Sequence, residues 1–345
     1  MAFIFAHDLA GFSSGADAAK AGFQIVSGTY SPTGGRFDGG YWECSNSTHQ
    51  LTKAFGPASG KVIVQFAVYF TEFATVDFFT LFNNGGTATC AEVGMTAGGA
   101  LRLLNAAAAT VVTSSPVLSL FTWHVIAVEA EIGSAAGTVR VFVDDFVTPV
   151  IDESGVDLTD GSATGCDMVR WDTNSSSGGF RLSEHIIYDT SGAAPWNALL
   201  GDKRLYSALP NADHTQGWTR SAGATNFDLV DDPRSTTSDA DATYVEASAA
   251  DTVDLYEFVN IPTGVTGIVG VVAIVEAKKT DAGALPSTMH IRMREPLGPT
   301  TADSAAITPT TSYEEHQAMF LTEPGGAAWT AAKVNAAQAG PRIAP

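Results

Sequence analysis

The stretch FTWHVIAVEAEIGSAAGTVRVFVDD, residues 121–145, decides the fold. In its first half Ile126, Val128, Ala130 and Ile132 alternate with Ala127, Glu129 and Glu131. In its second half Val139, Val141 and Val143 alternate with Arg140, Phe142 and Asp144. Successive side chains of a strand point to opposite faces, so a period of two with one apolar set predicts a strand buried on one side. The segment GSAAG between the halves is bounded by Gly133 and Gly137, which predicts a hairpin loop joining antiparallel partners.

The same period extends in both directions. In KVIVQFAVYF (61–70), Val62, Val64, Phe66, Val68 and Phe70 fall on one face and Lys61, Gln65 and Tyr69 on the other, predicting a half-buried strand. Further strands are predicted at 78–83, 90–97, 101–105, 167–173 and 179–189. Strands at such even spacing, almost without helical periodicity, argue for a sandwich of two sheets. After residue 200 strands resume at 243–248, 251–259, 267–279, 288–296 and 312–322. The run Ile268–Val275 is apolar except at Gly270, which predicts a central strand covered on both faces. The stretch AAWTAAKVNAAQAG (327–340), Ala-rich, is the best helix candidate, stopped by Gly340 and Pro341. The predicted architecture is all-β: an N-terminal sandwich over 1–195 and a C-terminal β-sandwich with a short terminal helix over 196–345. Between them Trp196, Leu199 and Leu200 are expected to pack at the domain junction.

Composition narrows the function. At 345 residues, with 45% hydrophobic residues, the chain can bury two cores. Only 16% of residues are charged and 34 are Gly, as suits turns and strands rather than salt-bridged helices. The net charge of −19 leaves nucleic acid and anionic membrane as poor partners, because phosphate contacts need clustered Lys and Arg. Cys44, Cys90 and Cys166 are odd in number and widely spaced, so neither a disulfide framework nor a zinc site is indicated, and a reducing cytoplasm is the expected place of synthesis. The start MAFIFAHDLAG lacks the basic region of a secretory signal, and the longest apolar stretch, 265–275, is about half the roughly 20 residues of a membrane helix. No membrane insertion is expected.

Two resemblances add to this. The hairpin 121–145, with its Trp-His opening and Val-Asp-Asp close, resembles the signature hairpin of laminin-G and concanavalin A-like jelly rolls, with GFRLSEHIIYDTSG (179–192) as the closing strand. That likeness implies a lectin-like jelly roll over about residues 1–190. Separately, Leu200–Arg204, Leu209–Pro210, Asn211–Asp213, Trp218–Thr219, Asn226–Asp231, Thr243–Val245 and Trp329–Asn335 resemble the segments of a family of tailed-bacteriophage minor structural proteins. The pair Arg220–Ser221 departs from that pattern, standing where a Pro-containing turn is expected. The resemblance implies a non-enzymatic component of the virion, made in the bacterial host cytoplasm. It would sit in a tail fibre, tail tip or particle surface, dock on other virion proteins, and form a homo-oligomer such as a trimer or hexamer. The alternative is an adsorption module that binds host surface glycan; capsid decoration and glycan hydrolysis rank below both.

Candidate sites follow from residue chemistry. Tyr41, Trp42, Trp171 and Tyr188 are candidate sugar-stacking rings, and the competing expectation for such rings in a sandwich is core. Asp144, Asp145 and Asp167, with Asp157, Asp160 and Asp172 nearby in sequence, are candidate calcium ligands at a sandwich rim. A second acidic group, Asp228, Asp231, Asp232, Asp239 and Asp241, is the other calcium candidate, though solvated turns are the default for both. No other cofactor is implied. GFSSG (Gly11–Gly15) matches a nucleophile elbow but has no room upstream for an oxyanion loop, so a surface turn is expected. Glu129 and Glu131 share one strand face at glycosidase-like spacing, and a solvated face is the expectation there. The seven His residues, at 7, 49, 124, 185, 214, 290 and 316, show no metal-ligand spacing.

Overall fold

The computed structural model describes residues 3–9, 12, 14–83, 85–160, 164–173, 178–232, 239, 241–280, 288–295 and 298–344. The chain is all-β and divides into two units, Met1–Leu205 and Tyr206–Pro345. No helix among the described residues is long and apolar enough to cross a membrane.

The first unit is a sandwich of two antiparallel sheets. One carries, in spatial order, Ile151–Val156, Gly137–Val143, Trp123–Glu131, Lys61–Phe70, Phe180–Asp189, Tyr41–Cys44 and Thr29–Ser31. Phe3–His7 also joins this sheet, pairing with the distal half of Phe180–Asp189. The other sheet carries Thr110–Pro116, Ala100–Leu104, Ala88–Met95, Val76–Asn83, Cys166–Asp172, Gln50–Ser59 and Phe23–Ser27. Residues 121–145 form the expected hairpin, in register from Ile126 opposite Val143 to Glu131 opposite Thr138. Its apolar set packs inward with Val62, Val64, Phe66, Val68 and Phe70. The rings of Phe66 and Phe79 stack at 5.2 Å, and Trp171 meets Phe66 edge-on at 5.7 Å.

Two expectations for this unit are corrected. Lys61–Phe70 is covered on both faces: Ile63, Gln65 and Ala67 on its outer side are also buried. After the closing strand, Trp196 meets Tyr188, the register partner of Ile63, edge-to-face at 5.3 Å, and the Tyr188 hydroxyl donates to the Ala198 carbonyl and accepts from the Leu200 N–H. Trp196, Leu199 and Leu200 therefore belong to a strap laid back on the first unit, with Trp196 and Leu200 buried, and the division falls at Leu205 rather than 195.

The second unit packs a five-stranded sheet against a two-stranded ribbon. The sheet runs Pro210–Gln216, Asp254–Phe258, Gln338–Ile343, Met289–Arg294 and Thr301–Asp303. The ribbon pairs Val271–Ala277 with Glu314–Phe320. Ile291, Met293, Ala318, Phe320, Trp329, Ala337 and Ala339 form the core between them.

One expectation fails here, and another, the short terminal helix, is met with a different end. The apolar run Ile268–Val275 is not a central strand: it enters the ribbon, and no residue of it is buried. The expected helix shortens to Ala331–Ala336, capped by the Thr330 hydroxyl accepting from Lys333 N–H. Gly340 and Pro341 do not end it; they lie within a strand flanked on both sides by others. A side chain at Gly340 would meet the Asp254 carbonyl oxygen at 2.2 Å, so the close approach of these strands requires glycine there.

Candidate functional site

Outward positions of four neighbouring strands make one polar-aromatic row. Alternation fixes which side chains these are: Trp42 and Cys44 point into the core, so Tyr41 and Glu43 point out. By the same logic Tyr69 and Arg181, between inward-facing neighbours, point out, and Trp123 stands opposite Tyr69. The sheet registers then place Glu43 beside Arg181, Arg181 beside Tyr69, and Tyr69 beside Trp123.

The row is held together electrostatically. Arg181 Nε donates to Glu43 Oε2 at 2.7 Å, and the guanidinium lies over the rings of Tyr41 at 4.7 Å and Tyr69 at 5.5 Å. Tyr69 and Trp123 rings are 5.5 Å apart, and Phe121 abuts Tyr69 at 6.3 Å. Tyr41, Glu43, Tyr69, Trp123 and Arg181 are half-buried and Phe121 is 65% exposed, so the rings are braced while one surface of the row stays open. Flat apolar rings beside an ordered guanidinium and carboxylate can cover the apolar face of a sugar while bonding its hydroxyls.

Beside the row lies a cluster of ion pairs. Glu184 sits at a bulge between Ser183 and His185 with φ of +49°, on the edge where pairing passes from Tyr41–Cys44 to Phe3–His7. Arg36 reaches Glu184 Oε2 at 3.4 Å and clasps Asp202 through two bonds of 2.9 and 2.6 Å. The Leu205 N–H donates to Glu184 Oε1 at 3.0 Å. Burial drives the Glu184 pKa up to about 7; the Leu205 N–H and Arg36 work against that rise, and Asp8 and Asp202 add to it.

His124 joins the entry of its strand to the end of the hairpin. Its Nε2 accepts the Ser119 N–H at 2.9 Å, which leaves Nδ1 to donate to Asp144 Oδ2 at 2.6 Å. The other Asp144 oxygen accepts the Val125 N–H at 2.8 Å. Burial acts to raise the Asp144 pKa, but the bonds from His124 and Val125 outweigh it and hold it below the usual carboxylate range. The Ser119 hydroxyl is also 3.0 Å from Nε2, so Ser119, His124 and Asp144 have the connectivity of nucleophile, base and orienting carboxylate. Because the Nε2 lone pair already accepts a backbone N–H, the trio works as a clasp on the hairpin.

Of the four rings singled out in sequence, Tyr41 belongs to the row. Trp42, Trp171 and Tyr188 are fully buried and offer no face to a sugar. Phe121, Tyr69, Trp123, Arg181 and Glu43 did not stand out: Phe121 lies in the turn before Trp123–Glu131, the other four are ordinary within their strands, and only the strand order makes them neighbours. The expected calcium ligands are not brought together. Asp144 is engaged by His124, and Asp145 accepts from the Val147 N–H. Asp167 lies on the opposite sheet, accepting from the Gly85 N–H. Among the described residues no group of three or more His, Cys, Asp or Glu side chains could hold a metal. Asp157 bonds within its own turn to Thr159, and Asp172 pairs with Arg170 at 2.9 Å. Asp228 bonds to Thr225, Asp239 to Thr243, and Asp241 to Lys278 and Tyr313.

Glu129, expected on a solvated face, is instead buried between Lys61 and Arg140; Glu131 is exposed. In Gly11–Gly15, Gly11 and Ser13 lie outside the described residues, and Ser14 caps the helix Gly15–Lys20 by accepting from Asp17 N–H. His185 is a core ring between Phe23 and Trp171, and burial, aided by His7, takes its pKa down to about 3.

No protein-family model matches the chain, and no curated protein matches it. Solved structures that resemble it include a mutant of Trypanosoma rangeli sialidase displaying trans-sialidase activity, 12% identical over 48% of this chain and 27% of that one, with a TM-score of 0.35. The carbohydrate binding module CBM66 from Bacillus subtilis is 10% identical over 49% of this chain and 96% of that one, with a TM-score of 0.34. The Caenorhabditis elegans galectin LEC-6 is 9% identical over 42% of this chain and 94% of that one, with a TM-score of 0.30. The match thus spans about a quarter of the sialidase's length.

Proposed function

We propose that the first unit is a carbohydrate-binding module whose ligand lies across Tyr41, Glu43, Tyr69, Phe121, Trp123 and Arg181. The observation that carries this reading is the cross-strand row Glu43, Arg181, Tyr69 and Trp123, in which open rings adjoin an Arg–carboxylate pair already fixed in place. Preorganisation of this kind lowers the entropy lost on binding. Binding requires no bond to be made or broken, so the module acts without catalysis.

A glycan array followed by calorimetry on the full chain tests the proposal. Trp123→Ala and Arg181→Ala are each expected to weaken binding at least tenfold, equivalent to about 1.4 kcal/mol. Absence of binding to every glycan offered, or binding that survives the Trp123→Ala, Tyr69→Ala double change, would overturn it.

The sequence resemblance to tailed-bacteriophage minor structural proteins supports a setting for this activity: a virion component that holds host surface carbohydrate during attachment. Antibodies raised against the chain are then expected to decorate intact particles at a repeating position. Particles that carry none of the protein would remove that setting and leave the carbohydrate reading standing.

A further inference from the structure

The polar-aromatic row of the first unit has two ends of different chemistry. At one end Arg181 Nε donates to Glu43 Oε2, while among the described residues neither Nη of Arg181 nor Oε1 of Glu43 makes a hydrogen bond. The two side chains keep 33% and 29% of their surface, so the pair is open to a ligand. The guanidinium also lies over the rings of Tyr41 and Tyr69. At the other end Trp123 and Phe121 each meet only the Tyr69 ring among the described residues. Tyr69 stands between the ends, its ring centre 5.5 Å from the guanidinium carbon and 5.5 Å from the Trp123 ring.

We infer, building on the carbohydrate reading, that the ligand is an uncharged oligosaccharide of at least two linked sugars. One sugar ring lies on Trp123 and Phe121, and two neighbouring hydroxyls of the next sugar bond to Arg181 and Glu43. The balance of donors and acceptors selects the class. A hydroxyl both donates and accepts, a carboxylate only accepts, and an ammonium only donates. Neighbouring hydroxyls therefore accept from an Arg181 Nη and donate to Glu43 Oε1 at the same time. An acidic sugar satisfies Arg181 but sets its carboxylate against that of Glu43, in a chain whose net charge is −19. An amino sugar satisfies Glu43 but meets the guanidinium, which already holds the Tyr41 and Tyr69 faces that an ammonium would seek. Length selects the number of units. Arg181 and Trp123 stand two strands apart, about 10 Å by strand spacing. One pyranose ring seated on Trp123 does not reach the Arg181–Glu43 pair, and a second linked sugar does. Glu43 is then the residue that excludes charged sugars.

Calorimetry on the full chain compares matched sugars: neutral trisaccharides of glucose, galactose and mannose, their monosaccharides, the same trisaccharides with the primary hydroxymethyl groups oxidised to carboxylates, and their amino-sugar forms. The neutral trisaccharide that binds is expected to do so at least tenfold more tightly than its monosaccharide, its oxidised form and its amino form. Glu43→Gln keeps the shape and removes the charge, and is expected to erase the preference for the neutral over the oxidised form. Disturbed structure would instead weaken both forms alike. Circular dichroism matching the wild type shows that the variant folds, and the comparisons on the wild-type chain need no variant. A monosaccharide, oxidised or amino sugar held as tightly as the neutral trisaccharide, or a folded Glu43→Gln chain of unchanged preference, overturns the ligand class and leaves the carbohydrate reading standing. Failure of every sugar to bind, or binding that survives the Trp123→Ala, Tyr69→Ala double change, overturns that reading and the class with it.

Discussion

Strand Lys61–Phe70 in the first unit is buried on both faces, and the strap that carries Trp196 packs on Tyr188, which stands opposite Ile63. Strand Val271–Ala277 in the second is covered on one face, and its far edge has no neighbouring strand among the described residues. The first contains Lys61, Gln65 and Tyr69, the second only Glu276, yet the more polar strand is the more deeply buried. Neighbours cause the difference. Trp123–Glu131 and Phe180–Asp189 flank Lys61–Phe70 along its length, and the chain after Asp189 turns back onto Tyr188. An apolar strand states that cover is needed; what supplies the cover depends on segments remote in sequence.

The largest expected effect concerns that cover. Trp196 is 1% exposed and braces Tyr188, whose hydroxyl ties the strap at two points. Trp196→Ala should cost about 3–5 kcal/mol of first-unit stability, the range for a buried large aromatic. Hydrogen exchange at the amides of residues 61–70, followed through denaturant unfolding, measures it. A loss below about 1 kcal/mol would mean the strap is not what buries the outer face.

That strap marks the limit of what could be read in advance. The hairpin 121–145 was legible because its partners are consecutive and its period of two is unbroken. Trp196 and Leu200 were recognised as packing residues, but not what they pack on, since their target is a ring on the preceding strand. Gly340 and Pro341 read as a helix stop because the signal is local, while the need for glycine there comes from Asp254, 86 positions earlier. The site was less legible than the fold. Of its members only Tyr41 stood out in sequence, because Glu43, Tyr69, Trp123 and Arg181 become one surface through strand order alone.

A smaller effect, dependent on pH, is expected at Glu184 beside that surface. Its pKa is about 7 in the folded chain against 4.5 for the ordinary carboxyl, so the folded state keeps a proton that the unfolded chain has released. The stability this contributes is complete below about pH 4.5 and is lost as pH rises through 7. Glu184→Gln holds the neutral form at every pH and should flatten the decline, whose size is on the order of 1–3 kcal/mol. Unfolding midpoints at intervals across this window test it. A slope unchanged in the variant would assign the decline to another group.

The smallest effect sets two isoleucines against each other. Ile63 is fully buried on the outer face of its strand, and Ile274 is 44% exposed on the outer face of the ribbon. Truncating a buried isoleucine to alanine leaves a cavity and costs about 2–5 kcal/mol. Truncating Ile274 should cost less than about 0.5 kcal/mol, because the side chain has little to lose. Denaturant unfolding of the two variants measures both costs. If they are equal, the outer face of the ribbon is covered as well as that of Lys61–Phe70, and the contrast between the two strands disappears.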